Sequence, residues 1–313
     1  MNDLVKIQAL LEDKADCQAR LNLLPYEGSP EIKEQNGSRY LYVRKRIAGK
    51  LTSTYVENEQ TQSFLADRSV RAHHDARVLR KRIRQIEREL TSLGYKNSEL
   101  SSRVLQNIDF ARANMKSNIY DQAVLEGVGT TFPQTEEILN NGIVNGVKAS
   151  DVQKILNLKH AWEFILDKDM IQSTSNYYMI SHIAKLVNEG FYVDGGRVRG
   201  VPVTIGGSSY VPPIPIESVV KESIDNIVNS NKEPIEIAID LCMYCMKTQI
   251  FIDGNNRASV IFANQYLIAH GQGLLVIPEK EVPDFKKLLV KYYEGEDISV
   301  INEFLKEKCW KTF

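Results

Sequence analysis

Between residues 133 and 308 the chain reads as a succession of helical segments, at about 133–141, 149–167, 175–188, 216–230, 234–247, 256–270, 281–293 and 297–308. A chain patterned this way must bury its apolar stripes helix against helix, so the predicted fold class is mainly α. The helix that starts at Asn255 carries Val260, Ile261, Phe262, Tyr266 and Leu267, which point several ways round its axis and mark it as the centre of a bundle. Trp162 shares a helix with Ile155, Leu158 and Ile165 and is expected in the core rather than against a ligand.

One stretch of this half breaks the helical period. Val201, Val203 and Ile205 alternate with Pro202 and Thr204, and glycines at 195, 196, 200, 206 and 207 supply turns, so a two-stranded ribbon is expected, ended by Pro212, Pro213 and Pro215. An exposed ribbon edge can capture an extended partner segment by adding a strand.

The first 96 residues differ in character. Leu4 to Leu24 is helical, Pro25 to Gly37 is a polar break, and Arg39–Val43 and Leu51–Val56 read as two strands about an Ala48-Gly49-Lys50 turn, bearing Tyr40, Tyr42 and Tyr55. Leu79, Ile83, Ile86, Leu90 and Leu93 then recur at four-three spacing, the seam of a helix that packs back on the first and is capped by Gly94. The expected organisation is a helical hairpin with a β-tip over 1–96 and a larger helical domain over 97–313, beginning at Asn97-Ser98-Glu99, with further helical stretches at Asn107–Lys116 and Ala123–Gly127. Arg77, Arg80, Lys81, Arg82, Arg84 and Arg88 could meet nucleic acid beside the aromatic hairpin; Asp75, Glu87 and Glu89 interleave with them and favour a solvated charged face.

The 313 residues carry a net charge of −1, so no global field calls for a polyanionic partner. Met1-Asn2-Asp3-Leu4-Val5-Lys6 leads into a charged helix, and no run approaches the ~20 apolar residues of a membrane span, so a cytoplasmic protein with no membrane partner is expected. Cys17, Cys242, Cys245 and Cys309 fit a reducing compartment, and the lone Cys242-x-x-Cys245 reads as buried thiols rather than a zinc site.

The chemistry concentrates in Thr248-Gln249-Ile250-Phe251-Ile252-Asp253-Gly254-Asn255-Asn256-Arg257. A turn at the start of a helix can aim backbone N–H groups at an anion, Asp253 is a hard ligand suited to Mg²⁺, and Arg257 offers a fork for phosphate oxygens. The alternative is a common turn with a helix cap and a surface arginine.

The wider string resembles the Fic (Fido) family signature His-Pro-Phe-x-Asp-Gly-Asn-Gly-Arg, with Phe251, Asp253, Gly254, Asn255 and Arg257 matching, Gln249 at the histidine, Ile250 at the proline and Asn256 at a glycine. Residues 195–213 look like the family's flap hairpin, and Leu125-Glu126-Gly127 is similar to the core of its inhibitory helix motif, with Gln122 at the Ser/Thr position. The resemblance implies a Fic-like helical bundle with a β-hairpin flap, which binds ATP or another nucleotide with Mg²⁺ and transfers AMP to a hydroxyl side chain of a target protein. It implies a metal ligand at Asp253, phosphate binding at Gly254, Asn255, Asn256 and Arg257, target docking on Val203, Thr204, Ile205 and Gly206, and regulation by Glu126. The second arginine with which that glutamate pairs is Val260 here. Glutamine accepts no proton near neutral pH, and losing a positioned base costs ~10²–10⁴-fold in rate. His73, His74, His160, His182 and His270 all lie outside the loop. Two functions follow: a slow nucleotidyltransferase, or a pseudoenzyme whose cradle binds nucleotide as a switch while other surfaces bind partners.

Overall fold

The computed structural model describes residues 3–24, 29–35, 38–47, 50–57, 62–95, 100–141 and 144–313. Its backbone contacts divide the chain into two compact units, Met1–Lys96 and Asn97–Phe313.

In the first unit α1 (Asp3–Leu23) and α2 (Gln62–Ser92) pack together, with β1 (Ser29–Gln35), β2 (Ser38–Ile47) and β3 (Lys50–Glu57) forming an antiparallel sheet between them in sequence. Leu10, Leu11, Ala15, Cys17 and Ala19 of α1 and Ala72, Ala76, Ile86 and Leu90 of α2 are buried, and Arg82 holds Asp13 at 2.9 Å. The four-three seam is thus buried at Ile86 and Leu90 and runs on through alanines towards the start of α2, while Leu79, Ile83 and Leu93 are half-buried. At its end Gly94 turns left-handed, φ 73°, and Tyr95 N–H reaches back to the Leu90 carbonyl.

The sheet corrects the sequence reading, for the polar break expected over Pro25–Gly37 contains β1. Its only apolar side chain among the described residues, Ile32, is 54% exposed, so no hydrophobic alternation announces the strand. It forms because β2 offers an unpaired edge, Ile32 facing Leu41 and Glu31 facing Tyr42, with Arg44 3.4 Å from the Glu31 carboxylate. Tyr42 faces Tyr55 across β2 and β3, rings 5.5 Å apart edge to face. The Ala48-Gly49 turn and the Asn97-Ser98-Glu99 start lie outside the described residues.

The second unit is helical: α3 (Ser102–Ala113), α4 (Met115–Leu125), α5 (Phe132–Asn141), α6 (Ala149–Ile165), α7 (Lys168–Gln172), α8 (Tyr177–Val187), α9 (Glu217–Val228), α10 (Pro234–Thr248), α11 (Asn255–Ala269), α12 (Val282–Tyr293) and α13 (Ile298–Phe304). Every residue of α11 from Arg257 to Ile268 is buried, against α3, α6, α7, α8 and α10. A helix enclosed on all sides must satisfy its own polar groups. Asn264 exchanges both its amide bonds with the Leu275 backbone (2.7 and 2.9 Å), and Gln265 donates to the Met170 and Ser173 carbonyls while accepting from Ser175 Oγ at 2.6 Å. Trp162 is fully buried, as expected.

Two further expectations change. The segment from Val201 to Val211 is an extended loop with a turn at Gly206-Gly207 and no ladder between its arms. Pro202 and Pro212 lack donors, and a buried arginine takes up the carbonyls a ladder would use. The strand pair of this unit lies elsewhere: β4 (Leu274–Leu275) against β5 (Trp310–Lys311), two residues each and too short to leave a period in the sequence. It closes because Gly273, φ 82°, has no Cβ; one built there would stand 2.1 Å from the Lys311 carbonyl oxygen. The helix expected to 308 ends at Phe304 and continues as one π turn to Cys309.

Candidate anion site

Helix α10 ends at Gln249 in a left-handed turn, φ 48° and ψ 62°, the one non-glycine residue with positive φ among those described. The conformation is held by the side chain itself: Nε2 donates to the Met246 carbonyl at 2.6 Å and Oε1 accepts from Asn255 Nδ2 at 3.1 Å. The Tyr293 hydroxyl also reaches this amide. Burial raises the Tyr293 phenol further above its ordinary range, so it stays protonated.

The loop from Ile250 to Gly254 is folded around Asn255. Its Oδ1 accepts the Phe251 N–H at 2.9 Å and its Nδ2 donates to the Phe251 carbonyl at 2.8 Å, so this side chain, 6% exposed with its residue, braces the loop from within. Gly254 is the N-cap of α11 at φ 71°. A Cβ there would meet Asn188 Oδ1 at 2.8 Å and Val187 Cγ2 at 3.1 Å, so both backbone conformation and space require glycine. Asn188 completes the frame by donating to the Gly195 and Asp253 carbonyls at 3.1 and 2.9 Å. The sequence reading passed over it, since an asparagine after a helix signals only a cap.

Arg257 is 1% exposed. Nη1 donates to the Val187 carbonyl at 2.7 Å, at the C-terminus of α8 where a cation is favoured, and Nη2 donates to Asp253 Oδ2 at 3.2 Å. On its third side Nε lies 3.2 Å from Glu126 Oε2 without hydrogen-bond alignment, and Arg257 Nε and Glu126 Oε1 remain without hydrogen-bond partners. Glu126 reaches this point because α4 stops there: Gly127 turns left-handed, φ 73°, and Val128 N–H bonds back to Ala123. Burial raises the Glu126 carboxyl, Arg257 opposes that shift and Asp253 adds to it. The glutamate therefore sits against the first arginine of the signature although Val260 offers no second one. Gln122 stands one turn back, donating to the Arg257 carbonyl at 2.9 Å and accepting from Trp162 Nε1 at 3.2 Å.

In front of this frame is a cavity of about 330 Å³. Glu126, Thr204, Ile205, Gly206, Gln249 and Asn256, six of the residues singled out in the sequence, line it together with Leu125 and the Lys286, Leu289, Val290 and Tyr293 face of α12. Asn256 Oδ1 is buried there without a hydrogen-bond partner. Asp253, Gly254, Asn255, Arg257 and Val203 are not part of the lining. The Asp253 side chain is 47% exposed. Lys286 forms no ion pair among the described residues and is the cavity's cation, a contribution from α12 that no spacing in the sequence announces. No histidine lines the cavity: His182 stacks on Phe164 at 4.5 Å, His160 meets Glu189 at 3.3 Å, His270 lies on Tyr266, and His73 and His74 belong to the first unit.

The wall formed by residues 204–206 is anchored by Arg199, 4% exposed. Its guanidinium donates to the carbonyls of Gln249 (2.6 Å), Val201 (2.7 Å), Pro213 (2.7 Å) and Pro212 (3.2 Å), and its backbone N–H to Ile250 (3.0 Å). Three of these bonds draw the two arms of the loop together, and two, to Gln249 and Ile250, join its base to the end of α10 and the first residues of the signature. Burial lowers the pKa of this guanidinium from its ordinary value. Among the described residues no cluster of three or more His, Cys, Asp or Glu could hold a metal, and no helix is long and apolar enough to cross a membrane. Cys242 and Cys245 are free and buried, and desolvation pushes the Cys242 thiol up to about 12.

A buried central helix fed by a glycine-capped loop, with a glutamate-bearing helix on one side and an extended loop on the other, is a fold with known counterparts. Residues 173–267 match the family model described as Fic/DOC family, and residues 4–63 match one described as a domain of unknown function (DUF6788). The match over 173–267 and the similarities that follow support a Fic family relationship. It is similar to the protein adenylyltransferase Fic of Drosophila willistoni, 26% identical over 283 residues that cover 82% of this chain and 56% of that one. With that of Drosophila mojavensis it is 26% identical over 239 residues, 72% of this chain and 46% of the other. The chain thus spans about half the length of the curated relatives it matches. Among solved structures it resembles Fic-1 from C. elegans (TM-score 0.52, 17% identity, 79% of this chain and 74% of that one). It also resembles a Fic domain containing signaling protein from Bacteroides thetaiotaomicron (TM-score 0.52, 18% identity, 67% and 85%). At these identities the structural likeness shows the fold.

Proposed function

We propose that the chain binds ATP or a related nucleotide with Mg²⁺ at the cavity between Glu126, the 204–206 loop and Gln249, and that it works as a nucleotide-responsive module in which group transfer is slow or lost. The observation that carries this reading is the state of Gln249. Its Nε2 donates to Met246 and its Oε1 accepts from Asn255, so the residue where the family has its base serves as a structural cap and carries no group that takes up a proton near neutral pH. The site otherwise suits an anion. Lys286 supplies positive charge, Arg257 Nε is without a hydrogen-bond partner, and Arg257 becomes open to a phosphate once Glu126 moves aside. Mg²⁺ is commonly held by one or two carboxylates plus phosphate oxygens, and Asp253, half exposed beside Arg257, is the carboxylate that would take it. A target segment would lie on the exposed loop of Val203, Thr204, Ile205 and Gly206.

On this reading Glu126 competes with the ligand for Arg257. Titration calorimetry with ATP and Mg²⁺ is expected to show Glu126→Gln binding at least ~10-fold more tightly than wild type, about 1.4 kcal/mol. The Glu126 carboxyl titrates above its ordinary value of 4.5. Its charge is lost as pH falls through that raised pKa, and the wild type should approach the variant in that direction. Absence of heat from both proteins at millimolar nucleotide would sink the nucleotide reading.

The relatives' adenylyltransferase names favour a second reading, in which the chain transfers AMP. Histidine is among the residues that tolerate a left-handed conformation, so Gln249→His should fold. Labelled ATP with a cell extract as acceptor is expected to give at least ~10²-fold more protein labelling from Gln249→His than from wild type. Equal labelling would mean that another group serves as base.

A further inference from the structure

The near-neutral chain hides an asymmetry. Residues 1–96 hold 18 Lys and Arg against 13 Asp and Glu, whereas residues 97–313 hold 21 against 27, so the first unit is positive and the second negative. Within the first unit the excess is ordered. Arg77, Lys81, Arg84 and Arg88 follow one another at steps of four, three and four along α2, which places them on one face over about 16 Å of helix. All four are exposed, and with Gln85 they line a groove of about 580 Å³ between their own side chains. Among the described residues no carboxylate pairs with any of them, although Arg82 on the neighbouring face is paired with Asp13 and Lys14 with Glu87. Arg84 spends one N–H on the Arg80 carbonyl at 3.2 Å.

We propose that this stripe is a docking surface for the sugar-phosphate backbone of a nucleic acid strand, bound without regard to sequence. Charge complementarity selects a polyanion, since four unneutralised cations repel one another and are relieved by phosphates that shed condensed counterions. The lining selects nucleic acid over an acidic protein helix. It contains only arginine, lysine and glutamine, with no apolar or aromatic anchor of the kind that gives protein interfaces their hot spots. Arginine also matches phosphate in a fork, as a run of lysines would not. The proposal is independent of the nucleotide cavity, which belongs to the other unit.

The test is fluorescence anisotropy of a labelled 20-nucleotide single strand and of the matching duplex, titrated with the full chain from 50 to 200 mM salt. The comparison is with Arg77→Gln/Lys81→Gln/Arg84→Gln/Arg88→Gln, which retains helix-forming residues at all four positions. Wild type is expected to lose about 10²-fold in affinity across that salt range, as four phosphate contacts require, and the variant to lose both the affinity and most of the slope at unchanged melting temperature. Three results would overturn the proposal: no wild-type binding at 50 mM salt, an unchanged slope in the variant, or equally tight binding of a labelled poly-glutamate peptide, which would assign the stripe to acidic protein.

Discussion

Arg257→Ala is expected to lose about 3–5 kcal/mol of folding stability, read as a lower urea midpoint at unchanged slope. The residue that the motif presents as a phosphate clamp is almost wholly enclosed, and its removal takes from the Val187 carbonyl the shorter of two side-chain bonds, leaving Asn157 Nδ2 at 3.2 Å, and leaves two carboxylates, Glu126 and Asp253, without their common cation. Uncompensated buried charge is among the few causes of losses this large. The variant is therefore a poor probe of ligand binding, because weakened binding would report a damaged α8–α11 junction. Glu126→Gln, which removes the competing charge and keeps the arginine, separates the two questions. A loss below ~1 kcal/mol would mean that water replaces the guanidinium and that Arg257 is more accessible than its 1% exposure indicates.

Arg199→Met is expected to cost about 3 kcal/mol and, more tellingly, to free the cavity wall. Methionine keeps much of the stem's bulk but leaves the carbonyls of Gln249, Val201 and Pro213 without donors, at about 1–3 kcal/mol for each that water does not reach. Protease cleavage between Gly200 and Val211 should rise at least ~10-fold more than the stability change alone requires, since the arms of that loop have no strand ladder to hold them. Arg199→Lys should do little better, because a single ammonium cannot reproduce the fork that reaches carbonyls on both sides of the loop. Cleavage that rises only in step with global unfolding would reduce Arg199 to an ordinary buried residue.

Both arginines show where sequence reasoning stops. Arg257 stood in a recognisable string, but its burial and its bond to Val187 depend on α8, seventy residues away. Arg199 lies in a glycine-rich stretch whose local pattern signals an exposed ribbon, and only the convergence of loop carbonyls round it makes it a clamp. The Val201–Ile205 alternation is genuine, yet Pro202 and Pro212 deprive the arms of donors, and a period of two states which way side chains point without stating that a partner strand is present. Strand β1 failed in the opposite sense: with one apolar residue it showed no period, and it formed on the open edge of β2.

By itself the sequence determined the helical class, the approximate limits of most helices, the central place of α11 and the string from Gln249 to Arg257. These rest on local periods, caps and glycine turns, which operate within a few residues. The tertiary structure alone decided that Glu126 meets Arg257, that Lys286 enters the cavity, that Asn188 and Arg199 fix the loops and that Gln249 is bound up as a cap. Each of those facts depends on a backbone carbonyl or a charge brought from a distant segment, and the partner of a buried polar group is chosen by packing.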